Sequence, residues 1–364
     1  MDLEKQDLAM LFSKIKHLLD TFESNIFDKP QTSDKPKVSI CLITYNHGNY
    51  LPITLDNILS QKTNFDYELI ISDDNSSDDS KNIIKEYALK YPTKIRAYLH
   101  PYNLSKKFPE YTPGKLNFLF GLSRCKGEYI VHVEGDDYFC NDEKLQKQAD
   151  FLDKNTYFSA CFHNALMKFE DKSGREDYNI NPPNQKERIV PEDFLKEKET
   201  WFMATAAVMF RKSFVEKLPH WFAFSKSGDI PLYVILSDQA PIGYLPEVMS
   251  VYRRHLEGMS YTDSNFDANF VNNRIFMYEN INNFTKNKYK SLIYSILASY
   301  YKMLPDCTQN INHNWKRMKP LLISLKYEQP HGIYGWKVFI KSLFTTETYL
   351  KISALKRKLF GIFS

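Results

Sequence analysis

Between residues 38 and 152, short apolar runs of strand length alternate with single stretches of helical periodicity, and this alternation narrows the possible folds more than any other feature. Residues 38–43, 68–71, 95–99 and 129–133 are the strand-like runs. Residues 51–61, 79–91 and 115–122 carry apolar side chains at three- and four-residue spacing, and a further amphipathic stretch holds Leu145, Ala149 and Leu152. Strands joined through one helix each need right-handed crossovers, so the expected class is α/β with a mainly parallel sheet flanked by helices. Parallel strands point their carboxyl ends to one edge, where open α/β sheets bind ligands. Thr44-Tyr45-Asn46, Asp73-Asp74 and Asp136-Asp137 each directly follow a strand. They are expected to meet on that edge.

Three regions are expected: 1–33, 34–262 and 263–364. The first reads as a helix with a stripe of Leu8, Leu11, Ile15, Leu18 and Phe22, followed by a polar linker with two prolines. That stripe packs on its own domain or serves self-association. Beyond Leu152 the pattern loosens, with strands at 158–162, 206–210 and 248–252, a polar excursion at 170–198 and a short helix opened by Asp229. From about Asn265 the chain reads as helical. Residues 331–364 hold Lys337, Lys341, Lys351, Lys356, Arg357 and Lys358 against Glu347 as the one acid, interleaved with apolar residues. Such a basic amphipathic tail lies on an anionic membrane surface or docks on the domain with a solvated basic face.

Composition removes several classes. Forty-eight basic against forty-four acidic residues leave a net charge of +4, which gives no case for a nucleic-acid binder. Five widely spaced cysteines without a Cys-x-x-Cys argue against a disulfide framework or a thiolate zinc site. The start, Met1-Asp2-Leu3-Glu4-Lys5, lacks the basic and apolar regions of a signal peptide, and no run of about 18 apolar residues is present. The expected location is cytoplasmic, peripheral to the inner membrane face if the tail binds lipid.

The acidic pairs carry the chemistry. Adjacent carboxylates at 136 and 137 repel unless a cation or positive group lies between them. Oxygen ligands without a nearby thiol suit Mg²⁺ or Mn²⁺, and a metal with few protein ligands completes its shell with phosphate and water. The bland alternative is an acidic turn capping the helix near Asp142. For Asp73 and Asp74 the alternatives are turn formation within Ser72–Ser80 or, for Asp74, hydrogen bonding to a base or ribose. No Gly-x-Gly-x-x-Gly and no Gly-rich loop ending in Lys-Ser/Thr appears, and the chain has only twelve glycines. A metal is then the expected partner of any phosphate.

Val38-Ser39-Ile40-Cys41-Leu42-Ile43-Thr44-Tyr45-Asn46, Ser72-Asp73-Asp74-Asn75-Ser76, Gly127-Glu128-Tyr129-Ile130 and Glu134-Gly135-Asp136-Asp137-Tyr138 resemble family 2 glycosyltransferases of the GT-A fold. So do Gly228-Asp229-Ile230-Pro231-Leu232 and the segment from Val248 to His255, in the same order, so that the likeness spans about residues 36–262. The resemblance implies an inverting, metal-dependent transfer from a nucleoside-diphosphate sugar, UDP-sugar first, to a glycan or lipid-linked glycan in bacterial cell-surface polysaccharide biosynthesis. It implies that Asp137, with Asp136, binds the metal and diphosphate, that Tyr45 stacks on the base beside Thr44 and Asn46, and that Asp74 hydrogen-bonds the base. Lys115 and Asn117 fall where diphosphate or ribose contacts are often placed. Asp229 matches the catalytic base, a role compatible with a helix N-cap that keeps a carboxylate ionised. His255 is a candidate metal or diphosphate ligand on a closing loop, with Arg253 or Arg254 on phosphate oxygens, and residues 201–205 and 221–224 are candidates for an acceptor wall. Two other readings compete: a sugar nucleotidyltransferase, which would need a Gly-rich loop after the first strand, and a non-catalytic nucleotide-sugar or glycan-binding module, which would be expected to lose Asp137 or Asp229.

Overall fold

A computed structural model describes residues 33–109, 111–112, 114–196, 201–216, 218–258, 267–307, 314–329, 331, 335–336, 339–340 and 342–343. The apolar stripe of residues 8–22 and the basic cluster at 351–358 lie outside the described residues. The chain divides into two compact units, residues 1–194 with 200–262, and residues 195–199 with 263–364.

In the first unit, strand β1 (Val38–Thr44) is followed by helix α1 (Leu51–Leu59), β2 (Tyr67–Asp73), α2 (Ser80–Lys90), β3 (Ile95–Leu99), a short α3 (Leu104–Lys107), α4 (Lys115–Arg124), β4 (Tyr129–Glu134), β5 (Tyr138–Phe139) and α5 (Lys144–Lys154). Then come β6 (Ala160–Phe169), β7 (Tyr178–Asn179), β8 (Arg188–Ile189), β9 (Val208–Arg211), α6 (Asp229–Gln239) and β10 (Ile242–Arg254). The sheet runs β3-β2-β1-β4-β9-β6-β10-β5, with β7 beside β6 and β8 beside β10. Its first four strands are parallel, as the helical crossovers require. Beyond them, β9 is antiparallel to both β4 and β6, while β6 and β10 pair in parallel.

Strands β1, β2 and β4 are covered on both faces, which is why they read as nearly continuous apolar runs. On one face Ile40, Leu42, Leu69, Ile71, Val131 and Val133 form a core with Leu51, Leu55 and Ile58 of α1, Ile84 of α2, and Leu145, Ala149 and Leu152 of α5. Burial of each such side chain contributes about 1.5–3 kcal/mol. On the other face α4 sits so close that a β-carbon at Gly121 would lie 2.7 Å from Cys41 Sγ. Here glycine sets the approach of helix to strand.

Beyond Leu152 several elements differ from the sequence expectation, and β6 runs to Phe169, past the strand expected at 158–162. The strand expected at 248–252 is part of a thirteen-residue β10 whose pairing with β6 shifts register between Leu245 and Ser250. The irregular register interrupts the alternation, so the pattern shows only the second half. The polar excursion at 170–198 contains β7 and β8, two-residue strands too short to leave a periodic signal.

The second unit holds α7 (Ala268–Phe284), α8 (Lys290–Met303) and α9 (Asn314–Tyr327). Tyr301 and Tyr327 stack there at 5.4 Å, and both hydroxyls donate to Glu279. No helix among the described residues is long and apolar enough to cross a membrane.

Candidate active site

The parallel register brings three strand ends together. Thr44 pairs with Asp73 and Ile43 with Glu134. Just beyond, the Asp74 amide donates to Thr44 O and the Gly135 amide to Ile43 O, both at 2.9 Å. Gly135 permits this: a β-carbon there would fall within 3 Å of Thr44 Oγ1 and His47 Nδ1. The Thr44 hydroxyl beneath it is buried without a hydrogen-bond partner among the described residues.

The β2 end is closed by its own hydrogen bonds. Asp73 accepts from the Ser76 amide at 3.0 Å and from the Ser76 hydroxyl. Asp74 accepts from Leu104 N at 2.6 Å and Asn103 Nδ2 at 3.2 Å. Burial, opposed by the Leu104 bond, pushes the Asp74 carboxyl up to about 7. Asn46 has φ +58°, a left-handed conformation that asparagine tolerates better than most residues. Its Oδ1 accepts from Ser77 N at 2.8 Å, which locks the β1 turn to the β2 turn. Tyr45 is 38% exposed, so its ring is presented to solvent at the sheet edge.

The β4 end is different. Asp136 Oδ1 and Asp137 Oδ2 are buried with no hydrogen-bond partner among the described residues. Their other oxygens are held by groups about 116 residues away: Arg253 N donates to Asp137 Oδ1 at 3.0 Å, and His255 Nε2 lies 3.0 Å from Asp136 Oδ2. His47 Nε2 is 3.8 Å from the same oxygen. Burial would raise Asp136, but His47 and His255 outweigh it and hold the carboxyl below the usual carboxylate range. Burial, then Asp136 and Glu134, push Asp137 well above that range. Neither aspartate caps α5, which starts at Lys144 after Glu143, so the capping alternative is set aside.

Arg253 sits deep in the site. Its guanidinium donates to Asp136 O at 2.8 Å and lies over the Tyr138 ring at 4.4 Å and the Tyr50 ring at 5.2 Å, with Glu170 at 3.6 Å. His255, expected on a closing loop, is instead buried directly after β10, packed on Tyr50 at 4.5 Å. The Asp136 bond fixes it.

Asp229 approaches from α6. Gly228, not Asp229, is the N-cap, and Asp229 is the first helical residue. Its Oδ1 accepts from Ser227 Oγ at 2.6 Å and Ile230 N at 2.9 Å, so the carboxylate organises the turn without capping the helix. Glu134 registers the convergence: burial first, then Asp136 and Asp229, push its carboxyl up to about 8. Asp136 beyond β4 and Asp229 of α6 therefore both act on one half-buried glutamate.

Two expected residues face elsewhere. The Asn117 amide donates to Ser72 O at 2.9 Å and accepts from Ser72 Oγ and from His100 at 3.1 Å, deep between α4 and β2. One turn along the helix from the sheet edge, it pins α4 to the sheet and is not presented to a ligand. Lys115, also buried, donates to Ser227 O at 3.0 Å. Of the acceptor-wall candidates, Met203, Ala204, Phe222 and Ala223 are core residues, while Trp201 is 39% exposed and packs on Tyr252 at 4.8 Å. Sequence reasoning passed over His47, Tyr50 and Glu170. His47 had a signal in its place two residues after Tyr45, whereas Glu170 had none.

A divalent ion fits these residues, although among the described residues no three His, Cys, Asp or Glu side chains are already gathered to hold one. Two buried carboxylate oxygens without partners suit a hard cation whose other ligands are phosphate and water.

The family model described as Glycosyl transferase family 2 matches residues 39–218, the span that carries β1 to β9 and both acidic pairs. The α/β domain belongs to glycosyl transferase family 2. Asp229, Arg253 and His255 lie beyond the matched residues. Among relatives, an uncharacterised protein of Mycobacterium tuberculosis, also found in Mycobacterium bovis, is 35% identical over 230 residues, 62% of either chain. The chain thus spans 62% of the length of these relatives. The putative glycosyltransferase EpsE of Bacillus subtilis is 27% identical over 248 residues, 67% of this chain and 81% of EpsE. Residues 1–349 of Staphylococcus aureus TarS, solved in complex with UDP-GlcNAc, superpose with a TM-score of 0.52 at 18% identity, covering 85% of this chain and 82% of that one. The glycosyltransferase fold is shared with TarS.

Proposed function

We propose that this chain transfers a glycosyl group, with inversion, from a nucleoside-diphosphate sugar to a hydroxyl of a glycan or lipid-linked glycan in bacterial cell-surface polysaccharide assembly. The donor is a UDP-sugar in the first instance, and the cytoplasmic side of the membrane, with the basic tail on its surface, is the working location. The observation that carries the reading is the convergence of Asp136, Asp137 and Asp229 on Glu134 at one sheet edge. Exposed Tyr45 stacks on the base and Asp74 accepts a hydrogen bond from it. Asp136 and Asp137, with His255 beside them, hold Mg²⁺ or Mn²⁺. When bound, the ion offsets charge on the leaving diphosphate. Asp229 takes the proton of the acceptor hydroxyl as its oxygen bonds to the anomeric carbon and the carbon–phosphate-oxygen bond breaks, with the pair of electrons leaving on the diphosphate. A positioned base of this kind contributes roughly 10²–10⁴-fold.

The test is a thermal-shift screen of nucleoside diphosphates and their sugars with Mn²⁺ and with EDTA, followed by transfer assays with the stabilising donor. Asp229→Asn is expected to keep donor-induced stabilisation while transfer falls by about 10²-fold or more. Near-normal transfer by that variant removes Asp229 from the role. Donor stabilisation that EDTA leaves intact removes the metal.

A further inference from the structure

Lys115 stands out among the buried groups because its ammonium is bonded to the loop that carries Asp229. We propose that Lys115 is a positioning residue for Asp229: from the first turn of α4 it grips the Ser227 carbonyl and so sets the carboxylate that accepts the acceptor proton. This rests on the glycosyl-transfer reading above and assigns the lysine a role other than binding diphosphate.

The connection is short and continuous. Lys115 Nζ donates to Ser227 O at 3.0 Å, and Ser227 Oγ donates to Asp229 Oδ1 at 2.6 Å. Ser225 Oγ donates to the same Ser227 carbonyl at 3.1 Å, which fixes the loop from its other side. The Phe222 ring lies 4.1 Å from the ammonium and floors its pocket. Gly228 lies beside the ammonium: a β-carbon there would stand at ordinary contact distance, 3.5 Å, from Nζ. Gly114, at φ +73°, turns the chain so that α4 begins with Lys115 facing this loop.

The titratable groups facing the pair come from two elements. Asp229 belongs to α6, with Tyr233 one turn along; His132 and Glu134 come from β4. His132 is driven down to about 3 by burial and by Lys115, so it does not share the positive charge near neutrality. Burial lowers Lys115 itself to about 7 and Asp229 opposes that fall. The carboxylate thus favours the protonated lysine.

Two measurements decide the proposal. The first needs no turnover: ¹⁵N-detected titration of the Lys115 side chain in the wild-type protein and in Asp229→Asn. The asparagine variant is expected to titrate lower than the wild type, and an unchanged midpoint overturns the pairing. The second is kinetic. Lys115→Met is expected to lower kcat by about 10- to 100-fold, as loss of alignment does, with donor KM within about twofold and the acidic limb of the kcat–pH profile displaced upward. Lys115→Arg is expected to recover part of the loss. In the Asp229→Asn background Lys115→Met is expected to add less than about twofold. A rise of donor KM by tenfold or more with kcat unchanged, or fully multiplicative losses in the double variant, overturns the proposal in favour of a diphosphate contact. If the wild-type protein transfers no sugar with any donor, the function reading fails, while the titration still decides the pairing.

Discussion

The two acidic pairs at neighbouring strand ends look alike in sequence and are used in opposite ways. Asp73-Asp74, after β2, has its carboxylates satisfied by backbone and side-chain donors within about thirty residues. Asp136-Asp137, after β4, keeps one oxygen of each without a partner and leans on His47, Arg253 and His255 for the others. Local donors hold the first pair in place, Asp73 within the framework and Asp74 oriented at the edge; unmet oxygens, with their partners drawn from distant segments, leave the second pair ready for a cation. The supply of nearby donors thus decides which acidic pair at a strand end keeps oxygens free for an ion.

The contrast predicts that isosteric changes separate function from stability. The largest effect is expected from Asp137→Asn, which keeps an acceptor for Arg253 N but removes the charge. Transfer should fall by about 10³-fold, corresponding to several kcal/mol of lost charge stabilisation, while the urea midpoint barely moves. Wild-type transfer by this variant would erase the distinction between the pairs.

Next comes a pH effect on the framework pair. The Asp74 carboxyl is pushed up to about 7 in the folded chain by burial, against an ordinary value of 3.8. The folded state therefore holds a proton that the unfolded state has already released. Stability should fall by about 1.4 kcal/mol per unit as pH rises from 4 to 7 and level off above 7. Asp74→Asn should remove that contribution, read as the difference in unfolding free energy between variant and wild type across this range. A difference independent of pH would mean that the carboxyl is not held in its neutral form.

Asp73→Ala should cost about 1–3 kcal/mol by denaturant unfolding, since both Ser76 bonds are lost, with kcat per folded molecule within about twofold. A tenfold loss of kcat at unchanged stability would move Asp73 into the site. The smallest effect belongs to the clasp between the two turns: Asn46→Ala should cost about 1 kcal/mol, through the left-handed backbone and the lost Ser77 bond, and Asn46→Gly less. Equal losses in the two variants would show that backbone strain plays no part.

How much was legible follows the range of the interactions. Strands β1 to β4, their crossovers and the edge where the turns at 44–46, 73–74 and 136–137 follow their strands could be read from residues 38–137, because each crossover returns the chain to the same edge of a parallel sheet. Asn117 and Lys115 sit two residues apart on one helix, yet one locks onto Ser72 and the other onto Ser227. Nothing in their spacing says which partner each meets. Glu170 and Tyr50 flank Arg253 from elements that share no pattern with it.

Hydrophobic periodicity by itself determined the α/β class, the parallel half of the sheet and the edge where acidic turns collect, since these depend on alternation along the chain. Only the tertiary structure decided which carboxylate oxygens stay unmet, which histidines stand beside them, and that Lys115 serves the loop of Asp229. Those outcomes depend on groups brought together across more than a hundred residues, where burial fixes the charge of each group by what else is buried with it.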